Sequence, residues 1–263
     1  MKILFIGGNH PRHLFYINKI QEKLEIGGAV IQLRENLLPS PPEGINEIDR
    51  KNFIYHFKKR ENAERHYFKA QAYPKCQILQ VKTGSLNSAK TVKFVKSVKP
   101  DVALIFGTGM IKEPLLSTLP RNSINLHLGI SPRYRGSATL FWPFYFMEPP
   151  YAGCTFHYIV NEPDAGDVVH QVVPELNMGD GIHDVACKAV VAAAVDGAKL
   201  LDIFKNKGGW KIHKQQSTGK KFLADDFKPE HLRVIYNVFN DDMVKYYLEG
   251  KLASKKPKLI RQF

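Results

Sequence analysis

Pro100-Asp-Val-Ala-Leu-Ile-Phe-Gly107 is the stretch on which the fold turns. From Val102 to Phe106 apolar residues follow one another without a polar break, and a glycine ends the run. A strand buried on both faces reads this way, because neither face is left for polar side chains. On its N-terminal side, Asn87 is expected to cap a helix whose apolar face is Val92, Phe94, Val95 and Val98, closed by Pro100. Before that, Cys76 to Val81 and Ala29 to Leu33 read as strands, separated by the Pro39-Pro41-Pro42 loop and a highly charged stretch. That stretch, about Ile45 to Ala70, predicts one or two exposed helices carrying Ile48, Phe53, Phe57 and Phe68. The chain opens on Ile3-Leu-Phe-Ile-Gly-Gly8, a second buried strand ended by glycines. Asn9 then caps a helix with Pro11 in its first turn and Leu14, Phe15, Ile17 and Ile20 at helical spacing.

On the C-terminal side, Ser123 to His127, Ala152 to Val160 and Val168 to Val173 are further strands. The short turn Asn161-Glu-Pro-Asp-Ala-Gly166 makes the last two a hairpin, so the sheet is mixed. A helix from about Ile182 to Phe204 lays its Ala/Val-rich face on the sheet. Strands alternating with helices predict an α/β fold, a mostly parallel mixed sheet covered by helices on both faces. After Gly208-Gly209 the chain turns polar and basic from Lys211 to Phe227. Pro229 then starts a short helix with Leu232, Val234, Ile235 and Val238, and Asn240-Asp-Asp242 caps another that Gly250 ends. About 50 residues are too few for a second core. The expected division is a catalytic domain over 1–209 and a small helical appendage over 210–263.

Composition narrows the function. The 263 residues are 44% hydrophobic and 24% charged, an ordinary globular balance that excludes wholesale disorder. The longest all-apolar run, Ala189 to Val195, is far short of the ~20 residues of a membrane span. The opening is no secretory signal, and three widely spaced cysteines (Cys76, Cys154, Cys187) make neither a disulfide framework nor a zinc ribbon. A cytoplasmic protein is expected. The net charge of +13 favours anionic partners, although Lys251, Lys255, Lys256, Lys258 and Arg261 place part of it on a basic tail that also reads as merely solvated.

In parallel α/β sheets the ligand crevice lies beyond the carboxyl ends of the strands. Four clusters fall there. Gly7-Gly8-Asn9-His10 is either an anion site at a helix start or a plain tight turn. Gly107-Thr108-Gly109-Met110-Ile111 either lets a flat ligand approach the backbone or is another turn. Asn125 and His127 alternate onto one strand face and run into Gly129-Ile-Ser-Pro-Arg133-Tyr-Arg135, so His127 is either a satisfied core histidine or half of a same-face amide and imidazole pair. Asp164 is either a turn aspartate that bonds local backbone or, set across the crevice from His127, orients the imidazole and favours its protonated form, with Asp167 as its rival. G-x-S-x-G, H-E-x-x-H and the phosphate-binding G-x-x-x-x-G-K-[ST] are absent, so serine hydrolases, zincins and P-loop proteins gain no support.

These clusters together resemble the formyltransferases that use 10-formyltetrahydrofolate. The resemblance covers roughly residues 1 to 205 and rests on Pro100 to Gly107, Ile124-Asn-Leu-His127, Tyr134-Arg-Gly-Ser-Ala138, Cys154 to Val160 and Pro163-Asp-Ala-Gly-Asp-Val-Val169. It implies a Rossmann-like catalytic domain and a catalytic trio of Asn125, His127 and Asp164, the Asp-x-Gly order selecting Asp164 over Asp167. It implies 10-formyltetrahydrofolate as co-substrate, held by Thr108, Gly109, Met110 and Ile111 and by Asn161, Glu162 and Pro163, with no metal. Acceptor contacts are expected from Gly8, Asn9, His10, Arg133 and Arg135, with His157 as a further candidate. Many members read His-x-Ser-x-Leu-Pro where this chain has His127-Leu-Gly129-Ile-Ser-Pro132.

The build implies the acceptor. About fifty residues after Gly209 are fewer than methionyl-tRNA formyltransferases carry, and the 45–70 stretch is more than the purine-pathway enzyme has. That intermediate size resembles the sugar N-formyltransferases, which modify a nucleotide-linked amino sugar for surface polysaccharide such as lipopolysaccharide O-antigen. Other acceptors in view are a hydroxylated amine such as hydroxyornithine, methionyl-tRNA and a ribonucleotide. A formyltetrahydrofolate hydrolase and an inactive nucleic-acid-binding relative are the readings of other classes. Nucleic acid and membrane are not expected partners. A homodimer through Tyr236, Phe239, Tyr246 and Tyr247 is an expectation from their exposure.

Overall fold

The computed structural model describes residues 1–33, 38–216 and 221–263. The strands, in chain order, are β1 (Ile3–Gly8), β2 (Ile26–Gln32), β3 (Gln77–Val81), β4 (Val102–Phe106), β5 (Ser123–Leu128), β6 (Arg135–Gly136), β7 (Cys154–Tyr158), β8 (Val168–Val172) and β9 (Lys221–Phe222). All but β6 and β9 join one sheet in the order β3-β2-β1-β4-β5-β7-β8. The first five run parallel, and β7 and β8 are antiparallel additions, which gives a mixed Rossmann-like sheet. β6 and β9 pair separately.

The helices are α1 (Pro11–Gln21), α2 (Glu47–Phe68), α3 (Ala89–Val98), α4 (Leu115–Thr118), α5 (Trp142–Tyr145), α6 (Ile182–Lys207) and α7 (Met243–Leu248). The period of two along β1 explains the layers: Ile3 and Phe5 join the core shared with α1 and α6, while Leu4 and Ile6 join the core under α3. A third cluster ties Phe53 of α2 and Ile182 and Val185 of α6 to Tyr134, Phe141 and Trp142. Phe222, Leu232, Ile235 and Met243 of the C-terminal residues belong to the same cluster.

Several sequence expectations need correction. The charged stretch folds as the single helix α2, and it is not simply exposed. Asn52, Phe53, His56, Glu64 and Phe68 are buried, because residues three and four apart form one stripe against α1 and α6. His10, not Asn9, stands at the N-cap of α1 and makes no side-chain cap bond. Ser88, not Asn87, is the N-cap of α3, while the Asn87 amide is drawn to the Met110 carbonyl and the Lys112 N–H. Val234–Val238 winds as a π-turn rather than an α-helix. Asp241 does not cap α7; its carboxylate accepts from the Ile182 N–H at the start of α6 and pairs with Lys59.

The basic tail is not merely solvated. Gln171 donates its backbone N–H to the Ile260 carbonyl (2.7 Å), and the Gln262 amide donates to the Val169 carbonyl (2.7 Å), so residues 260–262 bond along β8, the last strand of the sheet. Tyr236 turns inward, its hydroxyl 2.8 Å from His56 Nδ1, which removes it from any exposed aromatic face; Tyr246 stays exposed. Within the Lys211 to Phe227 stretch, 217–220 lie outside the described residues. Among the described residues no helix is long and apolar enough to cross a membrane.

Candidate active site

The chain leaves β1 to build one flank of the sheet and returns at β4 to build the other, so the crevice opens beyond the carboxyl ends of these strands. A cavity of about 660 Å³ lies there, within the range of small-molecule sites. Asn125 and His127, two residues apart on β5, both line it, and antiparallel pairing sets His157 of β7 directly across from Asn125. Asp164 enters from the turn between β7 and β8. Its backbone is left-handed (φ +52°), a conformation aspartate tolerates better than most residues. Gly166 follows because a Cβ there would collide with the Tyr158 carbonyl, which explains the Asp-x-Gly order in steric terms.

The polar contacts define the site. His127 Nε2 lies 2.8 Å from the Tyr134 carbonyl, and its Nδ1 lies 3.3 Å from Asp164 Oδ1. His157 Nδ1 lies 2.9 Å from the Tyr158 carbonyl, and its Nε2 lies 3.1 Å from Asn125 Nδ2 and 3.5 Å from Asp164 Oδ1. Among the described residues nothing else bonds that amide nitrogen. Burial raises the Asp164 carboxyl, but His127, His157 and the Gly136 N–H outweigh it and hold it at about 2. Burial also pushes His127 down, and this exceeds the pull of Asp164 and the Tyr134 carbonyl in the other direction. Asp164 thus favours the protonated ring as expected, burial opposes it more strongly, and an acceptor faces each nitrogen.

The cavity wall after β4 consists of Thr108, Gly109, Met110 and Ile111, and the wall before Asp164 of Glu162 and Pro163. Gln32 accepts from the Gly109 N–H (2.7 Å), and the space beside Gly109 is otherwise free enough for a ligand to reach the backbone. Asn161 is exposed and lies outside this lining. The expected acceptor contacts fare differently. Arg135 is buried and spends Nη2 on Glu162 (2.9 Å) and on the Pro163 carbonyl (3.0 Å), so it shapes the loop rather than the lining. Arg133 points outward to Glu148, with Nε at 2.9 Å. Gly8, Asn9 and His10 are not part of the lining; the His13 ring fills the space beside Gly8 and Gly107. Gly129 has its own local reason: a Cβ there would stand 2.5 Å from the Tyr134 carbonyl and 2.7 Å from His127 Nε2.

Sequence reasoning missed the far end of the cavity. His56, Phe57, Arg60 and Glu64 of α2 line it, with Arg12 of α1 and His183 of α6. The signal was the recurrence of 56, 60 and 64 on the same stripe as Phe53, Phe57 and Phe68, hidden by the low hydropathy of the helix. Among the described residues no group of three or more His, Cys, Asp or Glu side chains could hold a metal ion.

The sequence model of a family described as formyl transferase matches residues 47–192, more than half of the chain. No curated protein matches by sequence. Among solved structures the chain is similar to phosphoribosylglycinamide formyltransferase from Anaplasma phagocytophilum, at 16% identity over 85% of this chain and 97% of that one, with TM-score 0.55. It is similar to the formyltransferase PseJ from Anoxybacillus kamchatkensis, in complex with UDP-4,6-dideoxy-4-formamido-L-AltNAc and tetrahydrofolate (15% identity, 93% and 97% covered, TM-score 0.53). It is similar also to an N-formyltransferase from Helicobacter canadensis in complex with folinic acid and dTDP-3-aminofucose (14% identity, 89% and 80% covered, TM-score 0.55). At these identities the likeness is one of fold.

Proposed function

Because the chain belongs to the formyl transferase family, we propose that it moves the formyl group of 10-formyltetrahydrofolate to the amino group of a nucleotide-linked amino sugar, of the kind used in surface polysaccharide. The observation that carries this reading is the continuity of one cavity. Asn125, His127 and Asp164 meet in it, the Thr108–Ile111 and Glu162–Pro163 walls bound it, and it runs on under α2 and α6, where an acceptor larger than a simple amine has room. Relatives of the same fold carry a folate together with a sugar nucleotide, which supports the same choice.

The folate supplies an activated formyl carbon; Thr108 to Ile111, Glu162 and Pro163 would hold it. This chain's own groups handle charge and protons. Asn125, its amide nitrogen beside His157 Nε2, donates an N–H to the formyl oxygen as negative charge gathers there, a contribution of about 100–1,000-fold in rate. Charge growing beside His127 raises its proton affinity, and the ring takes the proton shed by the attacking amine. The imidazolium so formed is what two flanking acceptors, the Tyr134 carbonyl and the ionised Asp164, accommodate. The same ring then returns the proton to the leaving nitrogen. Arg135 and Glu162 keep the Asp164 loop in register.

The test is an acceptor panel with 10-formyltetrahydrofolate, following tetrahydrofolate release. It holds dTDP-, UDP- and GDP-linked amino sugars, hydroxyornithine, glycinamide ribonucleotide and methionyl-tRNA, with a no-acceptor control. Turnover with a sugar nucleotide supports the reading. Turnover only with another acceptor replaces it, and formate release without acceptor marks a hydrolase.

A further inference from the structure

Arg60 occupies an unusual electrostatic position at the α2 end of the cavity. Its Nε donates to Glu64 Oε1 at 3.0 Å, one helical turn on, which fixes the plane of the guanidinium. The same carboxylate oxygen accepts from Arg12 Nη1 of α1. Burial works against ionisation of Glu64, but Arg12 and Arg60 outweigh it, so the carboxylate stays charged. In this cluster the Glu64 carboxylate lies between two guanidiniums, and the other carboxylates of the lining are Glu162 and Asp164. Among the described residues no group bonds either terminal Nη of Arg60, and the side chain keeps 32% of its surface exposed. Beside it, burial pushes His56 down to about 3 and His183 well below the ordinary histidine range, so both rings are neutral and add no competing charge.

A planar guanidinium anchored through Nε and open at its Nη edge is the arrangement that grips two oxygens of a phosphate at once. We propose that Arg60, held in place by Glu64, is the anion-recognition group of the acceptor site and binds the diphosphate of the sugar nucleotide. The neutral imidazoles and aromatic rings around it leave the sugar and base in uncharged surroundings. This inference rests on the proposed function, since it names how that acceptor is held.

Steady-state kinetics of full-length Arg60→Gln and Arg60→Lys with a sugar nucleotide that the native enzyme formylates provide the test, together with inhibition by the matching nucleoside diphosphate. In Arg60→Gln the acceptor KM rises on the order of 10–100-fold, more than kcat falls, the KM for 10-formyltetrahydrofolate moves less than about twofold, and diphosphate inhibition weakens in parallel. Arg60→Lys recovers only part of the loss, because an ammonium keeps the charge without the fork. An unchanged folate KM reports an intact fold. If the native enzyme uses a sugar nucleotide and Arg60→Gln leaves its KM unchanged, this inference is overturned and the proposed function stands. A native enzyme that formylates only phosphate-free amines overturns both.

Discussion

His127 Nδ1 stands 3.3 Å from Asp164 Oδ1, bringing a residue of the fifth strand and a residue of a left-handed turn into one ion-pairing geometry. Asp164→Asn keeps the shape and removes the charge that stabilises a protonated ring. We expect kcat to fall about 100–10,000-fold while affinity for a stable folate analogue is retained, measured by tetrahydrofolate release and by calorimetry. A kcat within about threefold of the native value would exclude Asp164 from proton handling.

The pH profile discriminates between a neutral and a charged resting His127. Burial places its pKa below the ordinary histidine value, and the neutral ring is the form that accepts the amine proton. The kcat/KM profile is therefore level at neutral pH and falls on the acid side with a midpoint below about 6.5. Asp164, at about 2, does not titrate in that range. A rate that climbs as pH drops from 7 to 5 contradicts a neutral resting ring.

Gly129 is predicted to resist replacement by serine. A Cβ would crowd both the Tyr134 carbonyl and His127 Nε2, and φ is +156°. Gly129→Ser should cost about 1–3 kcal/mol in urea unfolding and lower kcat, because the displaced atoms are those that fix the imidazole. Native stability together with native kcat would show that the loop relaxes freely.

Strand alternation puts Asn125 and His127 on one face by arithmetic alone, whereas the choice of Asp164 over Asp167 came from the family resemblance, and the steric cause of Asp-x-Gly at Gly166 shows only in the fold. The buried strands were legible for the same reason: Val102 to Phe106 leaves no polar face. What the sequence could not reveal depends on tertiary partners. Arg133 and Arg135 look alike in the chain, yet one meets Glu148 at the surface and the other is buried behind the Asp164 loop. Arg60 and Glu64 looked like a solvated helix face until α1 and α6 covered that face. The balance of burial against charge at His127 likewise needs the folded environment.

Gln171 links the tail to the loop that carries Tyr134. Its Oε1 accepts from the Ile260 N–H (3.1 Å), and its Nε2 donates to the Ser131 carbonyl (2.6 Å). Gln171→Leu leaves both of those groups without their partner, at about 1–3 kcal/mol for each buried one, and should shift the urea midpoint downward. An unshifted midpoint would show that the tail contributes nothing to stability.

Acid should destabilise the α2–α6 packing through His56, which faces His183 and lies near Arg60. With a folded pKa of about 3 against about 6.5 unfolded, the unfolded chain binds the extra proton between those values. Stability is thus full above about pH 6.5 and declines as pH falls toward 3. His56→Gln should flatten that decline in Tm measured from pH 7 to 4; an identical slope would assign it to other groups.

The most direct test of formyl transfer by this site is tetrahydrofolate release from 10-formyltetrahydrofolate with an amino-sugar nucleotide, comparing native protein with Asn125→Ala and His127→Ala. The account predicts formylated sugar from the native protein and at least about 100-fold less from either variant, both still binding the folate analogue. Equal turnover in all three proteins would contradict it.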